Sequence, residues 1–386
     1  MNKFKFYFIL LITTLSLFSC SKNDTPAEIT PPREYTAQYN KEIADIESYL
    51  NTYYLDMDLT DPNFADKDVV IKPIPLGGLQ HSIMTYKTNA FVDSTNFPQL
   101  WSRNVSFHGI NYKLYYLVLR EGEKDIVTDL GGQSPSNADA VLASYSGSYL
   151  QSTTTADVTS VIATPFEEVK INPKYLSLLT TIKGWGEIFP QFKTGSYTSN
   201  NDNTITYTGF GAGVMFIPSG LAYYNYGAGS IPSYAPLVFS FKLYEIQRLD
   251  SDGDGIFNYQ EDVNIELNKD TDKNNFGYMY DYRNSVNYPT FPEDKIRYAD
   301  DTDKDGIPNF VDVDDDGDGY TTKLESKRPD LTINNLAVSN GYYPFTGASV
   351  DNPKTLDIDE RQGIPNCSSD FISPTRLRKY LDKSCH

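Results

Sequence analysis

Carboxylates between Asp250 and Glu325 recur at a spacing that suits one kind of chemistry. Asp250, Asp252, Asp254, Gly255, Asn258 and Glu261 occupy positions 1, 3, 5, 6, 9 and 12 of a twelve-residue stretch. That is the order of a calcium loop, D-x-D-x-D-G-x₅-E. Alternate acids on a tight coil face one centre, the glycine takes the left-handed turn, and the last carboxylate closes the shell with two oxygens. Asp301, Asp303, Asp305, Gly306, Asn309 and Asp312 repeat the order with a shorter acid at position 12, and Asp314, Asp316, Asp318, Gly319 and Glu325 repeat it again. Asp270, Asp272, Asn274 and Asp281 sketch a degenerate fourth copy, with Asn275 in place of glycine. Three matches point to calcium in a structural role. Magnesium, which keeps many waters and takes few protein ligands, fits less well.

Charge follows the same pattern. Residues 250–325 hold 21 Asp and Glu against 7 Lys and Arg, a net of −14 within a chain of −18. Self-repulsion should keep this segment expanded without metal. The balance excludes nucleic acid as a general partner, because phosphate binding needs clustered Lys and Arg. Zinc is equally poorly served: His81, His108 and His386 are the three histidines, and none is at ligand spacing from another. Only Val313 separates the second and third loops, leaving no room for the paired helices of EF-hands. The loops resemble thrombospondin type 3 repeats, in which the chain wraps around a file of calcium ions.

A second set of residues is apolar and aromatic. Ile182-Lys183-Gly184-Trp185 is followed by Phe216-Ile217-Pro218-Ser219-Gly220-Leu221-Ala222-Tyr223, by Ile231-Pro232, and by Leu237-Val238-Phe239-Ser240-Phe241-Lys242-Leu243. In order and gaps this resembles the C-terminal half of FKBP-type peptidyl-prolyl isomerases, and Tyr145-Ser146-Gly147 resembles the family's Tyr-Thr-Gly on an earlier strand. The resemblance implies an α+β fold, a twisted antiparallel sheet wrapped on a short helix with an apolar proline pocket between them. Trp185 would floor the pocket and Tyr145, Ile231 and Phe239 would wall it. The Ile182 backbone N–H and the Tyr223 hydroxyl would hold substrate carbonyls. Prolyl isomerisation rotates an amide over a barrier of about 18–20 kcal/mol and breaks no covalent bond, so a dry pocket that favours the twisted amide is sufficient. The family's Phe-Asp pair after the first hairpin is missing; Asp157, preceded by Ala156, is the nearest acid, and Phe166 the nearest second aromatic. The implied activity is isomerisation of proline-containing polypeptides during folding of exported proteins. The alternatives are a binding module that grips without catalysis, or a structural surface lipoprotein.

These residues need elements to hold them. Residues 36–55 place Ile43, Ile46, Leu50 and Tyr54 on one face of an amphipathic helix. Residues 112–119, 140–150 and 235–247 read as strands, 203–217 as a hairpin, and 174–189 as containing a short helix that Pro190 ends or kinks. The expected organisation is a mixed helical region over 36–109, an FKBP-like domain over 110–249, calcium loops over 250–325 and a C-terminal segment over 326–386.

The N-terminal residues suggest an anchor. Lys3 and Lys5 precede an apolar run from Phe6 to Phe18, the length of a signal-peptide core and too short to span a bilayer. Leu17-Phe18-Ser19-Cys20 resembles a lipobox, so residues 1–19 read as a signal peptide, Cys20 as the lipidated residue and 20–35 as a polar tether. The lysine and acids after the cysteine resemble the surface-export signal of Bacteroidota lipoproteins, which implies an outer-membrane lipoprotein facing the periplasm or the cell exterior. The other two cysteines, Cys367 and Cys385, read as a disulfide in an oxidising compartment, worth about 3 kcal/mol by loop entropy.

Overall fold

The computed structural model describes residues 31–87, 97–123, 125, 127, 130–155, 158–170, 173–263, 278–289, 300–333, 336–350, 352–354 and 359–385. The signal peptide, Cys20, Asp157, and Asp270, Asp272, Asn274 and Asn275 lie outside the described residues.

Helix α1 (Tyr35–Thr52) leads into β1 (Tyr53–Leu55), which pairs with β2 (Ile71–Pro73). Strands β3 (Gln99–Phe107), β4 (Ile110–Arg120), β5 (Ala140–Thr155), β6 (Val158–Val169) and the short β7 (Leu176–Ser177) follow, then helix α2 (Lys183–Ile188). A small hairpin, β8 (Ser196–Ser199) with β9 (Ile205–Thr208), precedes β10 (Gly211–Ile217) and β11 (Leu237–Gln247). The main sheet runs β3-β4-β10-β11-β5-β6, antiparallel throughout, with β7 on β5. Beyond it lie helix α3 (Thr322–Glu325) and the pair β12 (Leu331–Ile333) and β13 (Leu336–Val338). The chain is thus mostly β; the helix content expected of an α+β fold rests largely on the 18-residue α1 and the six-residue α2.

Both faces of the sheet are covered, which explains why its central strands read as near-continuous apolar runs. On β4, Tyr112, Leu114, Tyr116 and Val118 point to the face packed by Trp185, Ile188, Phe189 and Phe192 from α2 and the turn after it. Tyr115, Leu117 and Leu119 point to the other face, packed by Ile46, Tyr49 and Leu50 of α1. Strand β10 divides the same way, Met215 and Ile217 against Val214 and Phe216. This burial on two faces places β10 in the middle, between β4 and β11, instead of in the hairpin expected over 203–217. Strand β9 pairs with β8 instead.

Three further differences concern organisation. Strand β3 pairs with β4 along its whole length, so the sheet crosses the boundary expected at residue 110. Tyr54 belongs to β1, and the buried ladder of α1 is Gln38, Glu42, Ile46, Tyr49 and Leu50, with two polar residues in it. From Tyr35 to His386 the molecule is one compact unit, so the charge change at residue 250 alters chemistry without interrupting packing. Asn258 Nδ2 donates to the Ala138 carbonyl at 2.8 Å, Met279 N donates to Asn137 Oδ1 at 3.0 Å, and Arg248 pairs with the buried Asp139 at 2.5 Å. Cys367 and Cys385 are joined, with their Cα atoms 5.7 Å apart. Among the described residues no helix is long and apolar enough to cross a membrane.

Candidate functional site

Strands β5, β6 and β11 and helix α2 bring four aromatic rings together. Trp185 is 4% exposed and meets Tyr145 and Phe239 edge-on, at ring-centre distances of 5.0 and 5.2 Å. Phe239 meets Tyr145 at 6.0 Å and Phe166 at 5.5 Å, both edge-on. Such edge-to-face contacts add specific geometry to the burial of large apolar area. Gly147 makes the fourth member possible: a Cβ there would lie 2.4 Å from Phe166 Cζ and 2.8 Å from Phe239 Cε1. Phe166 therefore crosses β5 over a residue that has no side chain to stop it. Ile231 is buried in the same cluster, and Ile182, with extended backbone, immediately precedes α2. Tyr223, 37% exposed, lies near enough to Tyr145 and Glu167 for their charges to interact.

The acid that faces this box is Glu167. The Tyr145 hydroxyl donates to Glu167 Oε2 at 3.3 Å, and burial together with that carboxylate pushes the Tyr145 phenol up to about 12. Burial and the Glu167 charge also raise Tyr223. Phe166-Glu167 thus supplies an aromatic–acid pair to the box. The signal in the sequence was an adjacent aromatic and acid, one methylene longer than the expected Phe-Asp.

Two positioning carboxylates were not legible in the sequence. Glu42 of α1, 1% exposed, accepts from Ser219 N at 2.7 Å, Ser219 Oγ at 2.5 Å and Gln38 Nε2 at 2.6 Å. It holds the turn Ser219–Leu221 that precedes Tyr223, and burial raises its carboxyl above the usual range. Glu187 of α2 is fully buried between Arg103 at 2.8 Å and Lys183 at 3.0 Å, with the Tyr280 hydroxyl at 3.1 Å. Burial opposes its charge, yet Lys183 and Arg103 hold it below the ordinary carboxylate range. Tyr278 donates to the Glu187 carbonyl at 2.9 Å, so residues from the acidic region clamp the helix that carries Trp185.

The three acidic loops share one fold. In each, the position 1 carboxylate accepts from the position 6 glycine N–H: Gly255 to Asp250 at 3.1 Å, Gly306 to Asp301 at 2.9 Å, Gly319 to Asp314 at 3.0 Å. Position 3 accepts from position 5, at 3.2 Å for Asp252, 2.9 Å for Asp303 and 3.2 Å for Asp316. Position 5 accepts from position 7, at 2.7 Å for each of Asp254, Asp305 and Asp318. The glycines turn at φ 104°, 98° and 94°, which a side chain would strain. One oxygen from each acid at positions 1, 3 and 5 gathers within 4.8 Å in every loop.

Position 9 closes the loop. Asn258 Oδ1 accepts from Ser251 N at 2.9 Å and Asn309 Oδ1 from Thr302 N at 3.0 Å, and both amide groups donate to the position 2 hydroxyl. These two asparagines, expected as ligands, tie the loop ends together. Asp312 accepts from Asp314 N at 3.1 Å. Glu261 and Glu325, 0% and 3% exposed, have both oxygens buried without a hydrogen-bond partner. Burial first, then neighbouring carboxylates, pushes Glu261 up to about 11 and Glu325 up to about 8. Two unit charges 4.8 Å apart repel by about 3 kcal/mol even at an effective dielectric of about 20. Oxygens packed this way suit a hard divalent cation.

The BamM C-terminal family matches residues 251–357, from the first acidic loop to beyond the boundary expected at residue 325. A peptidyl-prolyl cis-trans isomerase from Pseudomonas syringae pv. tomato str. DC3000 is 21% identical over 35% of this chain and 76% of its own, with a TM-score of 0.24. FkpA from Escherichia coli is 24% identical over 35% of this chain, with a TM-score of 0.24, and the match spans about half of FkpA, 48%. No curated protein matches the chain.

Proposed function

We propose that the sheet and α2 form a site for proline-containing polypeptide segments and isomerise the peptidyl-prolyl bond. The observation that carries this reading is the aromatic box of Tyr145, Phe166, Trp185 and Phe239, with the half-exposed Tyr223 near Tyr145. A planar amide is more charge-separated than a twisted one, so an apolar enclosure favours the twisted form, and a phenol at the rim can hold a neighbouring carbonyl. Asp250, Asp252, Asp254 and Glu261, Asp301, Asp303 and Asp305, and Asp314, Asp316, Asp318 and Glu325 hold structural calcium. The lipid on Cys20 anchors the molecule at the outer membrane. A proline-limited refolding assay on residues 21–386 tests the enzyme reading: acceleration supports it, and none from folded protein removes it.

A second reading is a module that grips polypeptide without rapid turnover. The observation in its favour is that the box faces the longer, exposed Glu167 at 3.3 Å where the resemblance leads one to expect an aspartate. Binding of a proline peptide without acceleration of refolding selects it.

A further inference from the structure

The third acidic loop departs from the other two at its second position. Ser251 and Thr302 hold that place in the first and second loops, where their hydroxyls accept from Asn258 at 2.9 Å and Asn309 at 3.0 Å. In the third loop the hydroxyl sits at position 9 instead: Thr322 Oγ1 accepts from the Asp315 backbone N–H at 3.3 Å. The loop closes as before, and the Asp315 carboxylate takes no part in closing it.

That carboxylate reaches the first loop. Ligand oxygens of Asp315, Asp254 and Glu261 lie within 4.8 Å of one another, and the three residues are 1%, 2% and 0% exposed. Both oxygens of Asp315, both of Glu261, and Oδ2 of Asp254 are buried without a hydrogen-bond partner. The remaining Asp254 oxygen accepts from Ile256 N at 2.7 Å. Lys323, from the third loop, reaches across to the first but donates to the Gly253 carbonyl at 2.8 Å. Buried anions without donors are stable only with a counter-charge among them.

We propose that Asp315, with Asp254 and Glu261, ligates one divalent cation of the calcium class shared between the first and third loops. The proposal rests on the calcium reading of the loops and adds a ligand from outside the loop pattern. Three carboxylates offer up to six oxygens, which suits the six to eight that calcium takes. Asp254 also belongs to the group it forms with Asp250 and Asp252, so it stands between the first loop's own acids and the shared ion. The ion then pins the start of the acidic region to its end.

Thermal melts of the full-length protein test this, in chelator and in millimolar calcium, for wild type, Asp315→Asn, Glu261→Gln and the double variant. If Asp315 serves a shared ion, Asp315→Asn melts above wild type in chelator, because repulsion is relieved, and below it in calcium. Calcium titration of the same proteins should show one class of site weakened at least about tenfold, the double variant being no worse than the weaker single. A variant that melts lower in both conditions marks an ordinary structural side chain and overturns the proposal. Calcium binding that Asp315→Asn leaves unchanged overturns the shared ion but leaves calcium in the loops. No calcium binding by wild type overturns both.

Discussion

The aromatic box and the acidic loops lie in one compact unit yet are assembled by opposite forces. The box is what remains when an apolar sheet buries both faces: its rings touch because β5, β6, β11 and α2 have nowhere else to place them. The loops bury carboxylates, which repel; backbone N–H groups close each loop, and on the proposed reading a cation balances the remaining charge. A site built from apolar contacts should therefore be set by packing alone. A site built from charges should be conditional on its ligand.

The sharpest break between the two regions should come from removing calcium. With chelator, protease is expected to cut between Asp250 and Glu325, while millimolar calcium protects; identical digestion in both conditions would end the calcium reading. The far-ultraviolet signal of the sheet should change little.

Trp185→Ala attacks the other side of the comparison. Truncating a buried tryptophan is expected to cost about 3–5 kcal/mol in urea melts. It should also abolish most of the refolding activity at temperatures where the variant remains folded. Full activity in a folded Trp185→Ala protein would exclude the box as the site.

Glu42→Ala should cost about 1–3 kcal/mol, because it leaves Ser219 N–H buried without its acceptor. It should loosen the turn before Tyr223 and weaken peptide binding, as measured by titration with a proline peptide. Tyr223→Phe removes one hydrogen bond, a loss of about twofold to twelvefold in rate. Glu167→Gln should fall in the same range, and Asp157→Ala should have no effect if Glu167 is the acid of the box; the reverse ranking would restore Asp157.

A pH dependence from His108 is also expected. Its ring stacks on Tyr35 at 3.9 Å, and burial holds it down at about 4, below the unfolded value of about 6.5. A histidine kept neutral by folding contributes stability that is present above the unfolded value and lost as pH falls toward the folded one. Urea melts should weaken between pH 6.5 and 4, and His108→Gln should flatten that slope.

Much of this was legible in residue types. The strands at 112–119, 140–150 and 235–247 could be read because β-branched and aromatic runs have few other uses. The turns of the loops could be read because acids at alternate positions can accept from backbone N–H groups two and five residues on, and a glycine at the sixth takes the left-handed turn. Gly184-Trp185 marked one ring of the box. The hairpin at 203–217 could not be read correctly, since alternation says nothing about which neighbour a strand finds. Strand β10 went to the centre because it is apolar on both sides.

What the sequence by itself determined is therefore the local grammar: which stretches are extended, where the coils close, and which rings are available to be buried. Each of these depends on residues within a few positions of one another. Only the tertiary structure decided the partners. Glu42 reaches Ser219, Glu187 sits between Arg103 and Lys183, Glu167 faces Tyr145, and Asp315 faces Glu261. Each is a carboxylate that on the sequence alone looks like solvated surface or one more acid in an acidic run. For Glu42, Glu187 and Asp315 the role comes from burial, and burial is a property of how distant segments meet, which no spacing along the chain records.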